Sequence, residues 1–196
     1  MEVFDTLLHA LRDTHAAHDG LQAFCAFPTD LTPQPVAPHA IPAARLMADQ
    51  SWPPGPHDGL RDAFLAAGPQ ARWRETYKGA NIGQDFLDRF GCYTLIGAGG
   101  AFHSAQVWAW MVYMPPHLHY TWHHHPGEEI YMVLAGSARF FRQGAPSEVL
   151  GPGGTSQHGA HQPHAMETGE DPVMALVLWR NGFDTGPVLT PPENLT

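Results

Sequence analysis

Residues 123 to 131 set two imidazoles, a carboxylate and a phenol at spacings suited to metal chemistry. The pattern is His123-x-His125-x3-Glu129, with Tyr131 two residues past the glutamate and Gly136 closing the stretch. Alternate residues of an extended chain share a face, so His123, His125, Glu129 and Tyr131 point one way and His124, Glu128 and Ile130 the other. Pro126-Gly127 imposes a turn between the two halves and can shift that register. Imidazole with carboxylate suits zinc, iron, manganese, cobalt or nickel, and a glutamate beside two histidines on one strand can hold a divalent ion with open positions. The expected cofactor is one divalent metal ion, Fe2+, Zn2+ or Mn2+.

Of the fourteen histidines, five lie at 117, 119, 123, 124 and 125, and three more at 158, 161 and 164. The second group, GPGGTSQHGAHQPHAM, offers the missing imidazole. His164 is the expected fourth ligand, because Pro163 fixes the approach and Ala165-Met166 continue as a strand. His158 and His161 are expected at the rim, with His161 the substitute ligand.

These groups must be carried by short strands. From about residue 84 the chain runs CYTLIG, QVWAWMVYM, EEIYMVLAGSARFFRQG, SEVLGPGG, HAMET and PVMALVLWR, rich in β-branched and aromatic residues and separated by turn formers. That spacing predicts an all-β sandwich or barrel. AQVWAWMVYM is apolar on both faces and should be buried on both. Ahead of it, residues 2 to 25 have helical spacing through Phe4, Leu7, Leu8 and Leu11, with His9, His15 and His18 expected to face water. Residues 28 to 56 hold eight prolines, which deny the backbone its donors, so a wrapping loop is expected around a short helix near Ala43 to Asp49. Residues 58 to 76 return to helical spacing, with Pro69 ending the first segment. The expected organisation is a helical and proline-rich extension, 1–83, packed on a β-barrel, 84–196, as one structural unit.

At 196 residues and 43% hydrophobic, the chain can bury one core and is short for two. A formal charge of −9 argues against nucleic acid, which requires a basic face. No apolar run approaches the roughly 18 residues of a membrane span, and MEVFDTLLHALRDTH lacks the features of a secretion signal, so a cytoplasmic protein is expected. Cys25 and Cys92 stand far apart, outside any metal or redox spacing, and are expected as buried thiols. Between Arg89 and Arg139 there is no lysine or arginine. An anion near the histidines would therefore rest on a metal or on neutral donors.

The spacing HxHx3Ex6G, followed by a Gly/Pro turn and a further histidine, resembles the two motifs of the cupin superfamily, which implies a jelly-roll β-barrel around one divalent metal. YTWHHHPGEEIYMVLAG, PHAM and PVMALVLWRNGFDTGPVL are more closely similar to the cupin-type dimethylsulfoniopropionate lyases. The resemblance is specific over the C-terminal half and general over the N-terminal half. It implies His123, His125, Glu129 and His164 as ligands, Tyr131 as the base and Tyr120 as a pocket tyrosine able to share the proton work. HGAHQPHAM departs from the usual second cupin motif in lacking P-x-G before its histidine, which makes His164 the least anchored ligand.

The implied reaction is a β-elimination giving acrylate and dimethyl sulfide. A small sulfonium carboxylate would be the only partner of a monomer or homodimer. A sulfonium donates no hydrogen bond and is best held on aromatic faces, each contributing ~0.5–2 kcal/mol. Trp122, Trp179 and Trp108 (or Trp110), with Tyr120, are the candidates. The alternatives are a metal-dependent cupin oxygenase or decarboxylase acting on another small carboxylate, and a non-catalytic cupin that binds a small ligand.

Overall fold

The structure, a computed structural model, describes residues 2–195. Five helices are α1 (Glu2–Ala17), α2 (Asp19–Phe24), α3 (Pro42–Asp49), α4 (Asp58–Ala67) and α5 (Gln84–Arg89). Twelve strands are β1 (Thr32–Pro33), β2 (Gly91–Ile96), β3 (Phe102–His103), β4 (Trp108–Met114), β5 (His119–His124), β6 (Glu128–Gly136), β7 (Ala138–Arg142), β8 (Glu148–Leu150), β9 (Thr155–His158), β10 (His164–Glu167), β11 (Val173–Arg180) and β12 (Val188–Leu189). Among the described residues no helix is long and apolar enough to cross a membrane.

The strands form two sheets, ordered β1-β3-β2-β4-β11-β6-β9 and β12-β5-β10-β7-β8. This is the jelly-roll arrangement of a cupin barrel. The larger sheet is apolar on both faces for a physical reason. On one face Met111, Tyr113, Met132, Leu134, Leu176 and Leu178 pack against Leu7, Leu11, Leu60 and Phe64 of the helices. On the other Val112, Met114, Tyr131, Val133, Val177 and Trp179 meet Phe140 and Met166 of the smaller sheet. The alternation in β4, β6 and β11 therefore sorts side chains between two cores, and neither face is left to water.

The N-terminal third departs from its sequence reading in four places. The helix over 2 to 25 is broken at His18, whose side chain accepts from the Leu21 N–H and caps α2. Only His9 of the three early histidines faces water; His15 is buried and bonded to the Cys25 carbonyl at 3.0 Å. The helix beginning at Asp58 ends at Ala67, and residues 72–74 lie along β2 instead, with Trp73 bridged to Tyr93 and the Arg74 N–H donating to the Cys92 carbonyl at 2.8 Å. Within the proline-rich stretch, Thr32–Pro33 joins the sheet edge on β3. Proline tolerates that position because an edge needs no donor on its open side.

Gly136 ends β6 with φ +72°, and a Cβ there would stand 1.7 Å from the Pro172 carbonyl oxygen. Only glycine satisfies both constraints. Gly136→Ala should lower stability by about 1–3 kcal/mol, read as a fall in the urea midpoint at unchanged slope. An unchanged midpoint would refute this account of the strand end.

Candidate metal centre

Four strands and one turn bring the site together. Glu129 sits on β6, opposite Trp179 of β11 on one side and His158 of β9 on the other. Across the barrel interior, His123 of β5 is in register with His164 of β10. His125 follows β5 in the turn at Pro126-Gly127. All five side chains are buried, none more than 3% exposed.

The three imidazoles facing Glu129 share one device. His123 Nδ1 is 2.9 Å from the Thr121 carbonyl, His125 Nδ1 is 2.9 Å from the Gly127 carbonyl, and His164 Nδ1 is 2.8 Å from the Gln162 carbonyl. A carbonyl oxygen only accepts, so each Nδ1 carries the proton and each Nε2 keeps a free lone pair. Ligand atoms of His123, Glu129 and His164 all lie within 4.8 Å of one another. Glu129 Oε1 is 2.8 Å from His164 Nε2, and Oε2 is 3.3 Å from His125 Nε2. Neither approach has hydrogen-bond alignment, and both Nε2 atoms are buried without a hydrogen-bond partner. Buried acceptors converging without donors are costly unless a cation lies among them. His123, Glu129 and His164 thus form a group able to hold a metal ion, with His125 beside Glu129 and outside that group.

Electrostatics agree. Burial, followed by the neighbouring His164, holds His123 well below the usual imidazole range. Burial and His164 push His158 down to about 4, so both rings are neutral at ordinary pH. Burial alone would raise the Glu129 carboxyl, but positive charge on His125 and His164 and hydrogen bonding from His125 and His158 outweigh it and hold it well below the usual carboxylate range. Although burial opposes it, the same carboxylate raises the His125 imidazole, so Glu129 draws positive charge, a metal ion or a proton, to this point.

His158 is not at the rim, where its sequence context placed it. Its Nδ1 lies 2.8 Å from Glu129 Oε1 and its Nε2 3.0 Å from Ser156 Oγ. Donating Nδ1–H to the carboxylate, it fixes the orientation of Glu129. His161, the substitute ligand, is exposed, with φ +59° and its N–H on the His125 carbonyl.

Tyr120 also departs from simple alternation. Three positions before His123, it should point away, yet its ring stacks on the His123 ring at 3.9 Å and 9°. The register between β5 and β10 slips between His164↔His123 and Met166↔Tyr120, and this bulge turns both side chains inward. The Tyr120 hydroxyl bonds that of Tyr77 at 2.8 Å. Tyr131 is buried on the cavity wall, and among the hydrogen bonds of the described residues none involves its hydroxyl. Burial, then the Glu129 charge, raises its phenol well above the usual range.

The cavity, about 30 Å³, is lined by His123, His125, Glu129, Tyr120 and Tyr131 together with Trp110, Trp179, Cys92, Thr76 and Arg74. Trp179 stands 4.2 Å from the His125 ring and edge-on to Trp110 at 5.0 Å. Two tryptophans expected on this wall lie elsewhere. Trp122, in the bulged stretch, packs beside Phe141, and Trp108, at the start of β4, stacks on Phe183 at 5.0 Å. Helical spacing over residues 58 to 76 conceals Arg74, and Tyr77 just beyond it carries no motif of its own. The alternation Arg72-Trp73-Arg74 was the available signal.

A family model described as dimethylsulfoniopropionate lyase matches residues 30–175. The chain is 50% identical over 191 residues to the dimethylsulfoniopropionate lyase DddQ of Ruegeria pomeroyi (strain DSS-3), covering 97% of this chain and 95% of that protein. The crystal structure of DddQ from Ruegeria pomeroyi DSS-3 superposes with a TM-score of 0.95 at 49% identity, covering 98% of each chain. A chain from the crystal structures of the lyases RdDddP and RnDddQII gives 0.92 at 38% identity, covering 97% of this chain and 98% of that one.

Metal should stabilise the fold, by about 2.7 kcal/mol at a hundredfold excess over Kd. Thermal denaturation of metal-loaded and EDTA-stripped protein measures this, and the shift should vanish in His125→Ala. His158→Ala should fold and bind metal roughly ten- to a hundredfold more weakly. Absence of any shift across Zn2+, Fe2+ and Mn2+ would reject the metal centre.

Proposed function

The chain belongs to the dimethylsulfoniopropionate lyase family, and on that premise we propose how its residues cleave dimethylsulfoniopropionate to acrylate and dimethyl sulfide. The reaction is a β-elimination, which makes the protein a carbon–sulfur lyase. The observation that carries the residue assignment is the convergence of the His123, His125 and His164 imidazoles on buried Glu129, with the His125 and His164 Nε2 atoms unpartnered, beside a cavity tyrosine whose hydroxyl makes no hydrogen bond among the described residues.

Tyr131, as phenolate, removes the proton from the carbon next to the substrate carboxylate. The released electron pair forms the carbon–carbon double bond, and the carbon–sulfur bond breaks as the sulfide departs. Dimethyl sulfide leaves neutral, so no general acid is required and one base suffices. The difficulty is negative charge building beside an existing carboxylate. His123, His125, Glu129 and His164 would hold a divalent metal, which would supply the Lewis acidity to steady this charge and favour the phenolate. Its donor set suits Zn2+, Fe2+ or Mn2+.

The remaining residues orient and enclose. Trp179 and Tyr120 offer aromatic faces to the sulfonium. Tyr120, fixed between the His123 ring and the Tyr77 hydroxyl, is the second tyrosine able to take a proton. Burial of Glu129 behind His158 and Ser156 keeps water from the carboxylate.

Metal-loaded protein should release dimethyl sulfide into the headspace, and Tyr131→Phe should cut kcat by roughly 10²–10⁴-fold. Burial and Glu129 raise the Tyr131 phenol, and the active form is deprotonated, so kcat/KM should climb as pH rises through the neutral and alkaline range. Tyr131→Phe should lose that limb. Full activity in Tyr131→Phe would move the base assignment to Tyr120; an inactive, folded wild type would reject the lyase reading.

A further inference from the structure

Among the described residues lining the cavity beside Glu129, Arg74 is the one lysine or arginine. It comes from outside the strand region, in which no lysine or arginine occurs between 89 and 139. Its backbone is clamped to β2 by the hydrogen bond to the Cys92 carbonyl, and alternation sends Trp73 into the helix-side core while Arg74 faces the barrel interior. Its guanidinium lies 5.3 Å above the Trp110 ring. Arg61, Lys78, Arg89, Arg139, Arg142 and Arg180 each face a carboxylate, but among the described residues no ion pair involves Arg74. Its charge is nonetheless felt inside: burial raises the Cys92 thiol to about 11, with Arg74 pulling the other way. An arginine held on an aromatic face, its guanidinium making no hydrogen bond among the described residues, is prepared to take a planar anion in bidentate fashion.

We propose that Arg74 is the carboxylate-recognition residue of this site, taking the carboxylate of the bound zwitterion and setting the end of the substrate that faces the metal ligands. The inference rests on the lyase reading for the substrate's identity and on Arg74 alone for the anion. Arg74, His123 and His125 line the same cavity, so a carboxylate on the Arg74 guanidinium occupies the space that those histidines border. The same positive charge repels the sulfonium and covers one face of Trp110. That leaves Trp179 and Tyr120 for the sulfonium and a single productive orientation.

The test compares wild type, Arg74→Met and Arg74→Lys in binding propionate and propionamide, measured by calorimetry on the metal-loaded protein alongside dimethyl sulfide kinetics. Arg74→Met should weaken propionate about tenfold and leave propionamide within twofold. KM for dimethylsulfoniopropionate should rise about tenfold, with the smaller change in kcat. Arg74→Lys should recover part of the propionate affinity. Unchanged propionate binding, or an equal loss of both probes, would overturn the proposal, the second outcome marking a purely structural arginine. Arg74-dependent propionate binding in a wild type that releases no dimethyl sulfide would sink the lyase reading and leave the anion site standing.

Discussion

The structure turns on the burial of one carboxylate. Glu129 is 2% exposed in the middle of a barrel, and an ionised carboxylate in that position costs several kcal/mol unless positive charge and hydrogen bonds compensate it. The protein meets part of the cost with one neutral donor, the Nδ1–H of His158. The other three imidazoles cannot help as neutral donors, since each spends its proton on a backbone carbonyl two residues away. What they present to Glu129 is lone pairs. A carboxylate facing lone pairs is a repulsive arrangement unless positive charge lies between them, either a bound cation or a proton on a facing imidazole.

The fold supplies this arrangement by dividing labour between two sheets. Glu129 and Tyr131 belong to the larger sheet, whose outer face is tied to the helices by packing and by Arg180, which bonds both Glu128 and the Phe24 carbonyl. His123 and His164 belong to the smaller sheet, locked in mutual register. The chain crosses between them at Pro126-Gly127, where the Trp179 indole lies against the Gly127 backbone so closely that a Cβ would fall within 0.9 Å of its Nε1. The aromatic wall and the ligand turn are thus fitted to each other, and the position of His125 depends on both.

How much of this was legible in the chain follows the range of the interactions. His123, His125, Glu129 and Tyr131 turn inward together because period-two alternation survives the turn at 126–127, a local rule that needs no tertiary knowledge, whereas His164 reaches them through the pairing of β10 with β5. Tyr120 breaks that rule through a bulge created by pairing with β10, some forty residues on. His158 was misplaced for a related reason: its role exists only because β9 docks on β6, and nothing in GGTSQHGAH announces that edge. Trp108 and Trp122 have the right residue type, yet a strand end and a bulge divert them to Phe183 and Phe141. In the N-terminal third, propensity favoured continuing a helix through Trp73, whereas pairing with β2 prevails and delivers Arg74 and Tyr77 to the interior.

This last substitution of strand for helix also changes the charge logic of the site. Read from the strand region alone, the scarcity of lysine and arginine suits a cationic ligand and leaves any carboxylate to the metal. With Arg74 present, the cavity is polarised: a guanidinium and a His/Glu cluster able to hold a cation line it, together with the aromatic side chains of Trp110, Trp179 and Tyr120. A zwitterion with a carboxylate at one end and a fixed sulfonium at the other matches that division in one direction only, because reversal would set sulfonium against guanidinium. Placed so, the carbon next to the carboxylate lies where negative charge is best tolerated, and the elimination begins at that carbon.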